Sequence, residues 1–364
     1  MNNSYYRITP IEMSIVLISA VLSSSIITAP RTLASEIGTP DGWISILLNG
    51  IFMVLTVSLY VKLQRNFPGE TLLQFFEKGR AGKWFAKFIG LILALYFILN
   101  VALVVRVMVF SVKMYLLDQT PSEVLVAIFL LTSSYAVSKG VQGIVHINLM
   151  FLPIILFVIV MICLSNFNEI EFGKILPIMS EGVLPIIKGS LALSLPFIGD
   201  IPILFYLMSF MGGNLSLKPL NIAGVIVTLM FLLIVVVTNS IFSIESIQKI
   251  TFPFMEIAKV IEVPGEFFER LESVTSVIWI MALFTSTSIY QLLAIKIIKD
   301  VVSPKGGGSW ISPIIVFISM IVAFLPQNIT ELESLGSPIT YLGLGITYSS
   351  IVLGYLAVWK RKQR

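Results

Sequence analysis

One carboxylate in this chain stands where charge is costly. The stretch Leu195-Pro-Phe-Ile-Gly-Asp-Ile-Pro-Ile203 sets Asp200 between two prolines and next to Gly199, inside an otherwise apolar run. An ionised Asp facing lipid at mid-span costs about 2.5–3.5 kcal/mol on insertion scales. Asp200 therefore needs water, a cation or backbone donors beside it. Two chemistries suit it: recognition of a ligand amine or cation in a polar cavity, or structural anchoring by Arg106 or free amides. A second polar cluster lies in Leu22-Ser-Ser-Ser-Ile-Ile-Thr-Ala-Pro30. Ser23, Ser24, Ser25 and Thr28 can offer hydroxyls to a ligand carboxylate, and Ile26 and Ile27 backbone amides. The same hydroxyls can instead bond back within their own helix. Phe284-Thr-Ser-Thr-Ser288 carries four more hydroxyls, with Thr285 and Ser288 on one helical face. They can meet the first span and bind a ligand or cation, or make ordinary interhelical hydrogen bonds. Asn100 and Phe197 complete the candidate ligand-binding set, Phe197 either walling off the site or simply packing. Arg106 either pairs with Asp200 or contacts an anionic group.

Other chemistry is thinly represented. There is one cysteine, Cys163, inside an apolar run, and one histidine, His146. Neither belongs to a cluster with metal-ligand spacing. Lys305-Gly-Gly-Gly-Ser-Trp310 is glycine-rich but lacks the phosphate-loop pattern, and no serine-hydrolase elbow occurs. The reading is therefore of a protein that is not an enzyme, with no cofactor and no nucleic-acid partner.

The elements that must position these residues are membrane helices. The chain of 364 residues is 57% hydrophobic and 12% charged, against roughly a quarter charged in a soluble domain. Apolar runs recur along its whole length and read as ten spans. They lie near Ile8–Glu36, Trp43–Leu63, Trp84–Leu116, Ser122–Val137, Gly143–Leu164, Val183–Met211, Leu220–Phe242, Ser273–Val301, Ile311–Leu325 and Gly336–Trp359. Connecting segments alternate between basic and acidic, and the positive-inside rule puts both termini in the cytoplasm. Span 1 would be about 43 Å long as an unbroken helix, against a core of roughly 30 Å. Its middle holds serines, β-branched residues and Pro30. Span 6 is similarly long, with Pro196, Gly199 and Pro202 in its middle. Both spans are predicted to be broken at mid-membrane. Two broken spans five apart imply an inverted repeat, about 8–164 and 183–359, within a single membrane domain of all-α class. The segment 245–272 is too polar to span and is either an external lid or an inert interfacial loop, split by Pro253 and Pro264 into two short amphipathic pieces with Glu266 and Arg270 spaced i,i+4.

Longer stretches carry a family likeness. Phe67–Phe97 and Asp118–Phe157 resemble the B subunits of bacterial spore germinant receptors, the endospore germination permease-like proteins. Thr120-Pro121, Tyr135 to Gly140 with Gly143, Phe151-Leu-Pro153, Pro30 and Asp41-Gly-Trp43 all stand in that family's pattern. The resemblance covers essentially the whole chain. It implies a ten-span, LeuT-like fold of the amino acid–polyamine–organocation superfamily, in the inner membrane of the spore. It implies assembly with a larger A subunit and a C-subunit lipoprotein. It also implies binding of a nutrient germinant, such as an L-amino acid, that triggers ion release. Some proton-coupled relatives in the superfamily place a lysine in span 5. This chain has none there, only His146 at the edge, which weakens a proton-symport reading.

Overall fold

The structure is a computed structural model that describes residues 6–78, 82–260, 271–303 and 307–363. Its α-helices run in the order α1 (Pro10–Ser25), α2 (Ala29–Ile37), α3 (Gly42–Gln64), α4 (Leu72–Glu77), α5 (Gly82–Tyr115), α6 (Ser122–Ser138), α7 (Gly140–Ser165), α8 (Val183–Ala192), α9 (Pro202–Leu207), α10 (Leu217–Ile241), α11 (Ile244–Lys249), α12 (Pro253–Val260), α13 (Leu271–Val302), α14 (Ile311–Ala323) and α15 (Ile329–Lys362). No strand occurs among the described residues. Six helices, α3, α5, α7, α10, α13 and α15, are long and apolar enough to cross a membrane. Val183–Ala192 with Leu195–Met211 makes a seventh span, bent by 48°. Shorter apolar helices stand at Pro10–Ser23, Ser122–Ser138 and Ile311–Ala323. The chain is thus a multi-pass membrane protein.

Both predicted interruptions are present, and proline chemistry explains them. Between α1 and α2 the residues Ile26–Thr28 form a turn. Pro30 has no N–H to offer the Ile26 carbonyl, so the ladder cannot run through. Thr28 bonds back instead, its N–H and its hydroxyl both reaching the Ser25 carbonyl at 3.2 Å. Between α8 and α9 the backbone widens into a π-helical turn over Leu195–Gly199. Pro196 and Pro202 remove the amides that Ala192 and Ile198 would otherwise meet.

The half-helix α8 is tied to α3, and α2 packs against both. The Ser45 hydroxyl donates to the Ile186 carbonyl at 2.7 Å, and the Asn49 amide to the Ser190 carbonyl at 2.9 Å. The Ser190 hydroxyl returns a bond to Asn49 Oδ1 at 3.3 Å. Spaced i,i+4, Ser45 and Asn49 occupy one face of α3. Gly189 lies hard against the Ile37 side chain, leaving no room for a Cβ. These three helices therefore form one packed body. On the other side α13 lies along α5, α7, α1 and α6, forming the centre of the bundle.

The bundle has two distinct ends. One end gathers Glu36, Asp41, Glu171, Glu256 and Glu333 together with Arg31, Lys174, Lys188 and Lys259, and is called the acidic rim below. Here buried Asp41 accepts the Met179 N–H and the Thr39 hydroxyl. The opposite, basic rim carries Arg65, which donates to the Leu215 carbonyl, and Arg361, which donates to the Phe75 carbonyl. The candidate lid is partly described. Its α11 packs on α2, with Gln248 donating to the Ala34 carbonyl at 2.9 Å, and α12 is held by Tyr115 donating to Glu256. Pro264, Glu266 and Arg270 lie outside the described residues.

The polar ladder yields a test. Asn49→Ala removes two buried hydrogen bonds between α3 and α8. It should destabilise the protein by about 1 kcal/mol, read as a lower thermal unfolding midpoint in detergent. An unchanged midpoint would show that the Asn49–Ser190 pair does not hold the half-helix α8 to α3.

Candidate functional site

The second interruption sets the chemistry of the bundle centre. With Pro202 lacking an N–H, the Ile198 carbonyl loses its i+4 donor and keeps the Ile201 N–H at 3.2 Å. The tightened turn after Asp200 sends the Ile203 N–H to the Asp200 carbonyl at 3.1 Å, which strands the Gly199 carbonyl. Exposed to hydrocarbon, each lost bond would cost several kcal/mol. Hydroxyls from distant helices fill the gap. Tyr96 of α5 donates to the Gly199 carbonyl at 2.7 Å, and the single hydroxyl proton of Thr347 on α15 is shared between its own helix's Gly343 carbonyl at 2.8 Å and the Ile198 carbonyl at 3.1 Å. The Tyr96 hydroxyl reaches its place because two glycines face it. A Cβ on Gly199 would lie 2.9 Å from it, and one on Gly343 only 2.5 Å.

Asp200 follows directly after these carbonyls. It is 1% exposed, and its Oδ1 accepts the Tyr290 hydroxyl of α13 at 2.7 Å. Its Oδ2 has no partner. A buried carboxyl with one hydrogen bond and one unsatisfied oxygen is an incomplete site.

On the acidic-rim side of the two interruptions opens a cavity of about 360 Å³. Its walls are the half-helices α2 and α8 and the first turns of α15, and its floor is Ser25, Thr28, Leu193, Leu195 and Pro196. Arg31 and Glu333 meet across it at 3.2 Å, joining α2 to α15. Asp200 is not part of its lining and lies behind the π-helical turn.

The opposite end is closed. The extended segment before α1 crosses the basic rim, where the Ile8 N–H donates to the Phe210 carbonyl at 3.0 Å and the Ile8 side chain is buried. Tyr206 donates to Asp300 at 2.7 Å, tying the segment after the second interruption to α13. Tyr6 donates to Glu12 at 2.9 Å and sets its ring edge-on against His146. Burial, reinforced by the Glu12 carboxylate, pushes the Tyr6 hydroxyl up to about 12, so it stays a donor at neutral pH.

The sequence-predicted residues divide accordingly. Ser25 and Thr28 line the cavity floor. The Ser23 hydroxyl bonds back to the Ala20 carbonyl, Ile26 is fully buried, and the Ser24 side chain lies outside what is described. Gly199 and Asp200 lie together, one turn deeper. The Asn100 amide donates to the Tyr96 carbonyl, steadying the helix that carries the capping hydroxyl. Phe197 packs against Phe231 at 4.9 Å and does not line the cavity. Thr285 bonds back to Ala282, while the buried hydroxyls of Thr287 and Ser288 have no partner. The expected Arg106–Asp200 ion pair is not formed. Arg106 instead donates from Nε to the Pro326 carbonyl at 2.9 Å, with its guanidinium 4.5 Å from the Phe110 ring centre and 5.6 Å from that of Phe324. A carbonyl and two aromatic faces satisfy the cation without a carboxylate. Tyr96, Tyr290 and Thr347 were missed among the common aromatic and hydroxyl residues. Their only sequence signals are Tyr96 four positions before Asn100 and Tyr290 two positions after Ser288.

Because Tyr96, Gly199 and Gly343 form one contact, their substitutions should not add. Tyr96→Phe leaves the Gly199 carbonyl without its donor, at a cost of about 1–3 kcal/mol. Gly343→Ala displaces the same hydroxyl. Each should lower the thermal midpoint, and the double variant should fall little below the worse single one. Fully additive losses would show that the hydroxyl does not hold the turn.

Comparison with known proteins gives a consistent result. The family model described as "Spore germination protein" matches residues 7–332. Spore germination protein YndE of Bacillus subtilis (strain 168) is 29% identical over 98% of both chains. Spore germination protein GerLB of Bacillus cereus is 27% identical over 97% of this chain and 94% of its own. Among solved structures, a Na+-coupled sialic acid symporter in a substrate-bound outward-open state superposes with a TM-score of 0.67 at 13% identity, covering 97% of this chain and 80% of that one. Mhp1, a nucleobase-cation-symport-1 family transporter in a closed conformation, gives 0.69 at 12% identity, covering 96% and 80%. At such identities the two structures speak for the fold alone, which is LeuT-like. Interrupted helices, fold and family match agree, and the chain belongs to the spore germination protein family.

Proposed function

We propose that this chain is the nutrient-sensing subunit of a spore germination receptor. It binds a small molecule, such as an L-amino acid, between the two interrupted spans and passes a conformational change to partner subunits. The observation that carries this reading is the cavity: open at the acidic rim, floored by both interruptions, with the basic rim closed beneath it. The positive-inside rule supports an acidic rim that faces outward and two cytoplasmic termini. The family likeness supports residence in the spore inner membrane, with a larger A subunit and a C-subunit lipoprotein as partners. The ten-span count and the inverted repeat of 8–164 and 183–359 belong to the same reading, since one interruption falls early in each half.

The chemistry is differential binding. A ligand shifts a conformational equilibrium only to the extent that it prefers one form. A ligand held at Ser25 and Thr28 on one side and at Leu193–Pro196 on the other acts on α2 and α8 as one body and draws α15 over the cavity. The Arg31–Glu333 contact gives α15 a share in that closure. Movement of the π-helical turn would bring the unsatisfied Asp200 Oδ2 toward a ligand amine. The residues that take part are then Ser23, Ser24, Ser25, Ile26 and Thr28 around the first interruption, and Phe197, Gly199 and Asp200 around the second. Asn100, Thr285 and Ser288 support them from α5 and α13.

A second reading is an ion-coupled amino acid symporter of the same fold. The observation favouring it is three buried, unpartnered hydroxyls, of Ser19 on α1 and Thr287 and Ser288 on α13, two helices that pack together. Labelled amino acid uptake by proteoliposomes separates the two. The sensor reading expects binding without gradient-driven accumulation by this chain alone, and robust accumulation would overturn it. Within the sensor reading, Asp200→Asn should weaken binding of an aminated nutrient about tenfold, the worth of one charge-assisted hydrogen bond. Unchanged affinity in a well-folded variant would remove Asp200 from ligand contact.

A further inference from the structure

Arg106 is a buried cation whose surroundings use little of its hydrogen-bonding capacity. It lies on α5 toward the acidic rim, beside the end of α14 at Ala323 and the start of α6 at Ser122. The residue is only 5% exposed. The Pro326 carbonyl takes its Nε, and the Phe110 and Phe324 rings lie against the guanidinium. These contacts hold the cation in place but engage only one of the five N–H groups of the fork. Among the described residues Nη1 and Nη2 meet no acceptor, and neither is sealed from the surface. Glu123, in the first turn of α6, is near enough for its charge to act on Arg106. Its side chain stays exposed at the rim, and no ion pair joins the two among the described residues.

The surface around the fork decides what can reach it. Met114 on α5, Val124 on α6, and Ile321 and Leu325 at the end of α14 are all exposed and apolar. Leu103, Val107 and Phe110 form a half-buried stripe along α5 at helical spacing, and Arg106 stands at its edge. Arg106 does not line the aqueous cavity. The open side of the guanidinium therefore faces the bilayer boundary. We infer that Arg106 anchors a phospholipid, with its Nη fork taking the phosphodiester of a headgroup in the leaflet at the acidic rim. A guanidinium matches phosphate with two parallel, charge-assisted hydrogen bonds. Basic pockets between membrane helices suit lipid headgroups for this reason. A soluble anion would have to leave water for an apolar rim. A phospholipid carries its phosphate there and lays its chains over the exposed Ile321, Leu325 and Met114.

The test adds defined lipids to the delipidated full chain in detergent and counts bound lipid by native mass spectrometry. Phosphatidylglycerol supplies the phosphodiester, and diacylglycerol supplies the same chains without it. Lysines of the basic rim also attract phosphatidylglycerol, so the reading is the difference between variants. The wild type should retain one more phosphatidylglycerol than Arg106→Gln, with no such difference for diacylglycerol. Arg106→Gln should weaken the tightest-held lipid about tenfold. Arg106→Lys should keep part of the binding, since a point charge replaces the fork. The thermal midpoint gives a second readout. Phosphatidylglycerol should raise it more in the wild type than in Arg106→Gln, whatever the midpoint of each without lipid. If Arg106→Gln does not fold, the same comparison is made with Arg106→Lys, which should show a smaller rise than the wild type. Equal retention and an equal rise in wild type and variants would overturn the inference. Displacement of the extra lipid by inorganic phosphate would also overturn it, by making the site one for a soluble anion. So would a Glu123→Gln variant that loses as much stability without lipid as Arg106→Gln, which would assign the fork to that carboxylate.

Discussion

The structure depends on one backbone carbonyl, that of Gly199, left without a backbone donor at the second interruption, beside an Ile198 carbonyl that keeps only the Ile201 N–H. Proline at 202 removes one helical donor, and the turn at Asp200 redirects the next. A membrane interior tolerates such a break only where other protein groups complete the hydrogen bonds. Tyr96 does so for Gly199 from α5, while Thr347 on α15 adds a shared contact to the Ile198 carbonyl. That requirement fixes much else. Glycine must stand at 199 and 343 so that the Tyr96 hydroxyl can approach, and α5 must run close to the interrupted span.

A break secured in this way is rigid in one sense and switchable in another. The Thr347 hydroxyl has two acceptors within reach, Gly343 at 2.8 Å and Ile198 at 3.1 Å, whereas an intact helix cannot be reopened without losing several bonds at once. On the acidic-rim side the two interruptions floor a polar cavity. On the basic-rim side, the Ile8–Phe210 backbone bond and the Tyr206–Asp300 contact close the bundle. The molecule is therefore asymmetric about its middle, open above the breaks and shut below them. The same division places α2, α3 and α8 in one tightly bonded body, so that a ligand acting on the half-helices acts on α3 as well.

Much of this architecture was readable before any coordinates. Serine-rich and proline-rich interruptions in spans too long for a bilayer leave a mark in sequence, and both fell where that mark lies. The partners did not leave one. Tyr96 and Thr347 reach their carbonyls across 103 and 149 positions of chain, and a tyrosine in an apolar helix announces nothing about its target. Arg106 misled for a related reason. An arginine within a span suggests a carboxylate, but a carbonyl at Pro326 and two phenylalanine rings suffice, and those are settled only by how α14 packs on α5.

The central claim is that both interruptions together form the place where a nutrient is held. An experimental structure of the full chain in nanodiscs, with a bound amino acid, tests it most directly. Ligand density should lie at the cavity floor, between Ser25–Thr28 on one side and Leu193–Pro196 on the other, with both helices still interrupted. Continuous α-helix from Leu22 through Pro30 and from Leu193 through Pro202, or ligand bound away from both breaks, would contradict it.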